Sequence, residues 1–406
     1  MTLPEPLLEL FGELEAEILA DICARIVKHG TVTASSVWQI EKLKEMRGLN
    51  RNATRLISKA LNVSDAEVGN ILRDAGVKAL AVDEAVYRAA GLATGKFVYS
   101  EALNEVLKAG IAKTNGLLHN YCGTTALDAT KALANALDKS YLGITTGNLA
   151  PAAAIRRSVK EIAGKGIQSV AYPSGHVDSL ETSVRRALLT GANQTTAELQ
   201  LARADELGSD LVEVTAHSGA RPEHAEWQGQ IYSRSGKVKG YKDFYSSTGY
   251  GDGDGLCGWN CYHNFYPYIL GFSTPTFSKQ RSTDNDAEYD IQQEQRALER
   301  AIRASKKEVM ALDAARKAAT TPETRAQLDE EFSRAARTLT NRRKHSSTVM
   351  TDSFPRQIER LLVDMTEALP AKRHGRQEKL HSRTFNFVVF VTREATNTYL
   401  RPAHGV

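Results

Sequence analysis

The chain has 406 residues, of which 42% are hydrophobic and 25% charged, with a formal net charge of +4, the balance of an ordinary soluble protein long enough for two or three domains. No apolar run approaches the roughly 18 residues that cross a bilayer, and the first 20 residues carry Glu5, Glu9, Glu13, Glu15 and Glu17 without a Lys or Arg, unlike a signal peptide. Four cysteines, of which Cys23 sits in a helical stripe and Cys122 is isolated, do not make a secreted disulfide framework, so synthesis in the cytosol is expected.

Leu7, Leu10, Phe11, Leu14, Ile18, Ile22 and Ile26 recur at helical spacing, with glutamates early, Arg25, Lys28 and His29 late, and Gly30 as a stop; this order suits the helix dipole. Thr33 can cap a helix with Trp38, Ile40 and Leu43, and Ser64 with Glu67 forms a capping box before Val68, Ile71 and Leu72. Gly76, Gly91 and Gly95 punctuate the next turns, and a further helix spans about 100–111. An Ala/Leu-rich segment, 124–139, follows and breaks at 143–148; Pro151 then occupies a first-turn position. Residues 167–172 have strand character, residues 173–176 turn, and Asp178 with Glu181 caps a helix through Leu188. Residues 193–207 read as helical again, and Leu211 to Thr215 as a half-buried strand leading to His217.

Residues 227–277 hold 13 of the 28 aromatic residues, interleaved with glycines that no long helix would tolerate. A small irregular module is implied. Within it and just before it lie His217, His224, Cys257, Cys261 and His263, thiols and imidazoles at short spacing that suit a structural zinc ion. The competing reading makes both cysteines small core residues beside Trp259 and leaves the histidines to internal hydrogen bonds. An enzyme reading comes from His224-Ala225-Glu226 with Cys257 and Cys261 beyond it, since zinc deaminases pair H-x-E with P-C-x-x-C; here three residues separate the thiols and no proline precedes them. The loop Gly249 to Gly255 lacks the Lys-Ser/Thr of a P-loop and the terminal Glu of an EF-hand, so a turn is expected. Arg185, Arg186 and Arg221 suit phosphate or, equally, pairing with Glu181, Glu213 or Glu223.

After a polar linker at 278–284, two polar helices, 289–319 and 321–341, suggest an antiparallel hairpin lying on a partner, with Ile291, Leu298, Ile302, Val309 and Leu312 as the thin stripe of the first. A shorter helix, 358–369, precedes the basic string K-R-H-G-R-Q-E-K, and 384–392 has strong strand propensity. Residues 331–383 contain twelve Lys/Arg against six Asp/Glu, an excess compatible with contact to nucleic acid, to an acidic protein surface, or to solvent alone.

The strings S-G-H-V-D-S-L-E (174–181), R-R-A-L-L-T-G-A-N-Q-T (185–195), H-S-G-A-R-P-E-H-A-E-W-Q-G (217–229), T-G-Y-G (248–251) and G-L-C-G-W-N-C-Y-H (255–263) together resemble the phage minor capsid protein 2 family, related to the Mu F-type head-morphogenesis proteins. E-P-L-L-E-L-F near the start and Q-R-A-L-E-R-A-I-R (295–303) extend the resemblance to about residue 310. It implies a non-enzymatic virion component of tailed phages, present in few copies at the portal vertex, made in the host cytoplasm and acting in head assembly or genome handling. Its implied partners are the portal protein and the major capsid protein, with no membrane; the basic C-terminal arm adds phage DNA as an expected partner. The alternative is a zinc-dependent enzyme or an effector delivered with the genome. The expected fold is α+β and predominantly α-helical: a helical N-terminal region (1–150), a small irregular α/β central module with the His/Cys cluster (151–277) and a helical, basic C-terminal arm (278–406).

Overall fold

Apolar stripes that keep their phase over many turns decide where this chain is helical, and they override several local stop signals. A computed structural model describes residues 5–29, 35–172, 175–277 and 282–367. Helix α1 (Glu5–His29) buries Leu7, Phe11, Leu14, Ile18, Ile22 and Ile26, as the spacing predicts. The expected cap Thr33 lies outside the described residues. Helix α2 (Ser35–Ala89) is one helix of 55 residues where the sequence suggests several. Ser64 is not an N-cap; it is buried in mid-helix, its hydroxyl donating to the Leu61 carbonyl at 3.2 Å. The stripe Leu49, Ala53, Ile57, Ala60, Ser64, Val68, Leu72 passes through it without a phase shift, so packing wins over the capping motif. Gly76 does not end the helix either, because it is a contact point: a Cβ there would lie 2.5 Å from Leu199 Cδ1. The chain turns at Gly91 and Gly95, with φ +73° and +76°.

Helix α3 (Glu101–Thr145) is capped by Ser100, whose hydroxyl accepts from the Leu103 N–H, and it absorbs the Ala/Leu-rich segment into a single rod. Helix α4 (Pro151–Lys165) starts on Pro151 as expected. Strands β1 (Val170–Ala171) and β2 (Val177–Asp178) form an antiparallel ladder shorter than the predicted 167–172; residues 173 and 174 of the predicted turn lie outside the description. Helix α5 (Leu180–Glu206) joins two predicted helices, and its cap is Ser179, one residue beyond the predicted Asp178.

The module follows: β3 (Leu211–Val214), α6 (Pro222–Ala225), β4 (Ile231–Ser233), β5 (Lys242–Asp243), α7 (Phe244–Thr248) and β6 (Phe265–Pro267). The sheet order is β5-β4-β3-β6, with β3 antiparallel to both neighbours and β4 parallel to β5. Being central, β3 is buried at every position rather than half-buried. Its Glu213 carboxylate is satisfied by the N–H groups of Thr276 and Phe277 at 2.6 and 2.8 Å. Val212, Val214, Trp227, Tyr232, Phe244 and Phe265 form a small core of the module's own, separate from the large helical core.

Helix α8 (Ser282–Ala318) and helix α9 (Pro322–Glu367), the latter capped by Thr321, run antiparallel: Arg316 bonds to Asp329 near the turn, and Arg342 donates to the Ala301 carbonyl farther along. Ala311, Leu312 and Ala315 of α8 join the helical core, and Lys307 reaches Glu15 of α1 and Glu181 of α5 at 3.0 and 2.7 Å. The C-terminal part of the α8 stripe, Val309 and Leu312, is therefore covered by the chain's own helices, while Ile291, Leu298 and Ile302 are half-buried. Two compact units divide after Ser347; the described part of the second, 348–367, is helical and takes in most of the separately predicted 358–369. The predicted strand 384–392 and the basic string before it lie outside the described residues. The chain is mainly α-helical with small sheets, an α+β fold.

Candidate metal centre

Four pieces of chain converge where β3 ends. After Thr215, whose N–H donates to the Asn264 carbonyl, the chain passes His217, turns at Gly219 (φ +71°) and enters α6 through Pro222. Asn285 of α8 holds that turn from both sides, accepting from the Ala220 N–H at 2.8 Å and donating to the Ala220 carbonyl at 2.7 Å. Helix α6 presents His224. From the other direction comes the glycine-rich loop, which is backbone packed on backbone rather than a phosphate cradle: a Cβ on Gly255 would fall on the Gly249 carbonyl, and one on Gly258 would lie 2.4 Å from the Gly253 carbonyl oxygen. This loop delivers Cys257, Cys261 and His263. Asn193 of α5 fastens it by donating to the carbonyls of Cys261 and His263 at 3.0 and 3.2 Å.

His224, Cys261 and His263 are all buried, and each offers one ligand atom within 4.8 Å of the others. The Cys261 sulfur lies 3.7 Å from His263 Nδ1. Both thiols rest against the same carbonyl, Cys257 at 3.7 Å and Cys261 at 3.9 Å from His263 O. Tautomers follow from acceptor-only partners. His263 Nε2 faces Gln228 Oε1 at 3.0 Å, and that oxygen also accepts from the His217 N–H, so Nε2 carries the proton and Nδ1 the lone pair. His224 Nε2 faces the Asp254 carbonyl at 2.7 Å, which leaves its lone pair on Nδ1 as well. Imidazoles that ligate metals are held in this way, one nitrogen anchored to an oxygen and the other free.

His217 sits at the edge of the group. Its ring stacks on His263, centroids 4.2 Å apart and planes inclined at 30°. Its Nδ1 donates to the Ser218 carbonyl, and its buried Nε2 has no partner. Trp227 packs against both His224 and His263. Trp259, expected beside the cysteines, is 60% exposed; the indole in the module core is that of Trp227.

Burial sets the electrostatics. It holds His263 neutral, its pKa driven down to about 2, with the neighbouring imidazoles of His217 and His224 acting the same way. His224 is lowered for the same first reason, against the opposing pull of the Asp254 carbonyl. Burial pushes both thiols up, Cys257 well above its ordinary value. Neutral imidazoles beside protonated thiols are what such a cluster holds without a cation, and a divalent ion would displace the thiol protons. Cys257 and Asn260 both adopt left-handed backbone, φ +59° and +53°; asparagine tolerates this conformation, whereas at Cys257 it costs about 1–2 kcal/mol.

The deaminase-like alternative needs Glu226 facing the cluster as a proton shuttle. Glu226 is exposed while the cluster is closed, so the geometry does not favour it. The arginines make local partners: Arg186 pairs with Asp178 at 2.6 Å and lies over Tyr172, and Arg221 donates to the Trp259 carbonyl. Three positioning residues, Asn193, Gln228 and Asn285, were not singled out from the sequence. Asn193 and Gln228 fall inside the strings that carry the family resemblance, which was the available signal; nothing in the helical pattern around Asn285 marked it.

The family model described as phage minor capsid protein 2 matches residues 1–340. A structural protein of Lactococcus phage LL-H is 25% identical over 293 residues, covering 66% of this chain and 75% of that protein. No solved structure matches.

Proposed function

Because the chain belongs to the phage minor capsid protein 2 family, we propose that it is a structural component of the head of a tailed phage, held at the portal vertex and acting in head assembly or in packaging and ejection of the genome. The observation that carries this reading is the extent of the family match, which spans the helical body and the module together rather than one motif. The relative in phage LL-H, itself a structural protein, supports the virion as the place of work. Among the described residues no helix is long and apolar enough to cross a membrane.

In this reading the portal and the major capsid protein contact exposed apolar side chains of the body. Ile40 and Leu43 on α2, and Trp259, Leu270 and Phe272 on the module, are each more than half exposed and offer such contacts. The basic segment 331–383 lies near packaged DNA, bound through phosphates.

The test is composition of particles. Tail-less heads purified from infected cells should contain the chain in association with the portal, and mature particles should retain it. Its absence from both would remove the proposal. Recovery of the chain inside newly infected cells after ejection would favour the alternative of an effector carried with the genome.

A further inference from the structure

The geometry of the His/Cys cluster distinguishes among its five members. We propose that the module binds one zinc ion through His224, Cys261, His263 and Cys257, with His217 outside the coordination sphere. The proposal rests on the module alone and not on where the chain sits in a particle.

Three of the ligands need little movement. With Zn–S near 2.3 Å and Zn–N near 2.0–2.1 Å, a tetrahedral S···N edge is about 3.6 Å, and the Cys261 sulfur stands 3.7 Å from His263 Nδ1. His224 completes a triad whose ligand atoms lie within 4.8 Å. Both imidazoles already have the required tautomer, their Nε2–H groups fixed on the Asp254 carbonyl and Gln228 Oε1.

The fourth position follows from ring planes. A metal bound to imidazole lies in the plane of the ring, along the nitrogen lone pair. The planes of His224 and His263 cross at 62°, so one point can lie in both. Those of His217 and His263 are stacked 4.2 Å apart at 30° and meet farther out than an ion bound to either nitrogen. Cys257 is the remaining donor. Its thiol is 1% exposed and contacts the same carbonyl as Cys261, and the short loop that carries both is turned by left-handed backbone at Cys257 and Asn260. Two thiolates with two imidazoles, all buried, form a closed set that suits zinc in a structural role and leaves no position for substrate.

The full chain, purified without added metal and dialysed, should carry about one zinc per chain. Cys261→Ser and His263→Ala should bring that below about a tenth, and His217→Ala should leave it unchanged. Ligand variants can unfold the module, so the wild type is also measured with cobalt in place of zinc. Tetrahedral cobalt bands with sulfur-to-metal charge transfer are expected; Cys257→Ser should reduce the charge transfer by about half, and His217→Ala should not alter it. A folded wild-type chain that binds neither ion overturns the site. Undiminished charge transfer in Cys257→Ser, together with loss of metal in His217→Ala, overturns the assignment of the fourth ligand.

Discussion

Two buried ionisable groups show how single residues hold this protein and where it can be tested. Lys307 is flanked by Glu15 and Glu181, and Arg303 also reaches Glu181, at 2.8 Å. Glu15 is 1% exposed, so removing its cation leaves a buried carboxylate with only the Glu181 N–H, at 3.2 Å, to oppose its charge. Lys307→Met should destabilise the chain by about 3–5 kcal/mol in urea unfolding, and adding Glu15→Gln should restore much of the loss. Asp83 makes a different prediction. It is fully buried, and burial pushes its carboxyl up to about 7 from 3.8, against the donation of Gln200 Nε2 to both of its oxygens. Between those two values the folded state holds a proton that the unfolded state has released. The contribution of Asp83 to stability is therefore complete below pH 3.8 and is lost as pH rises through about 7. Measured at pH 5 and pH 8, the stability difference between wild type and Asp83→Asn should shift in favour of the variant at the higher pH; no shift would contradict a buried, protonated carboxyl.

At the scale of elements, the crossing of α3 and α5 depends on a reciprocal exchange of glycine and threonine. A Cβ on Gly110 would collide with the Thr195 hydroxyl, and a Cβ on Gly191 with that of Thr114. Each helix thus carries a glycine opposite the other's threonine, four residues from its own, on the face where the axes approach. Gly110→Ala gains about 1 kcal/mol of helix propensity but should still lower stability, because overpacking at a helix contact costs about 1–3 kcal/mol. Thr195→Ala in the same chain should relieve only part of the strain, since the Thr195 Cβ is itself 3.0 Å from the added carbon. The start of α3 offers a separate test: Ser100→Ala removes the bond to the Leu103 N–H and the one to Glu206 at the end of α5 and should cost about 1 kcal/mol by the same measurement.

For the whole molecule, the division after Ser347 gives a test of the arm. A chain ending at Ser347 should keep the main unfolding transition and, having lost seven of the twelve Lys/Arg of residues 331–383, should bind DNA more weakly and with a smaller salt slope if that segment holds DNA. Binding by the full chain should also fall steeply as salt rises. Retention indifferent to salt, or unchanged in the shortened chain, would place DNA contact elsewhere or remove it. The body needs no such arm for its own integrity: α8 is fixed to α1 by Ala311, Leu312 and Ala315 and by the Lys307 network, and α9 is fixed to α4 by Arg156 and Lys160 around the buried Glu331.

What could be read from the residues alone was whatever a short window encodes. The stripe of α1, Pro151 at the head of α4, the left-handed glycines after α2, the small module among long helices and the membership of His224, Cys261 and His263 in one cluster all follow from spacing and residue type. Helix lengths did not. Ser64 and Gly76 look like boundaries because a capping motif and a glycine act over one turn, whereas the long α2 is set by a stripe whose value depends on what α3 and α5 present to it. The same limit applies to the site. Sequence places thiols and imidazoles near one another along the chain, but which nitrogen keeps its lone pair is decided by Gln228 and the Asp254 carbonyl, and which rings share a point in space is decided by how β3, α6 and the glycine loop are brought together. Those are relations between segments distant in sequence, and only their packing fixes them.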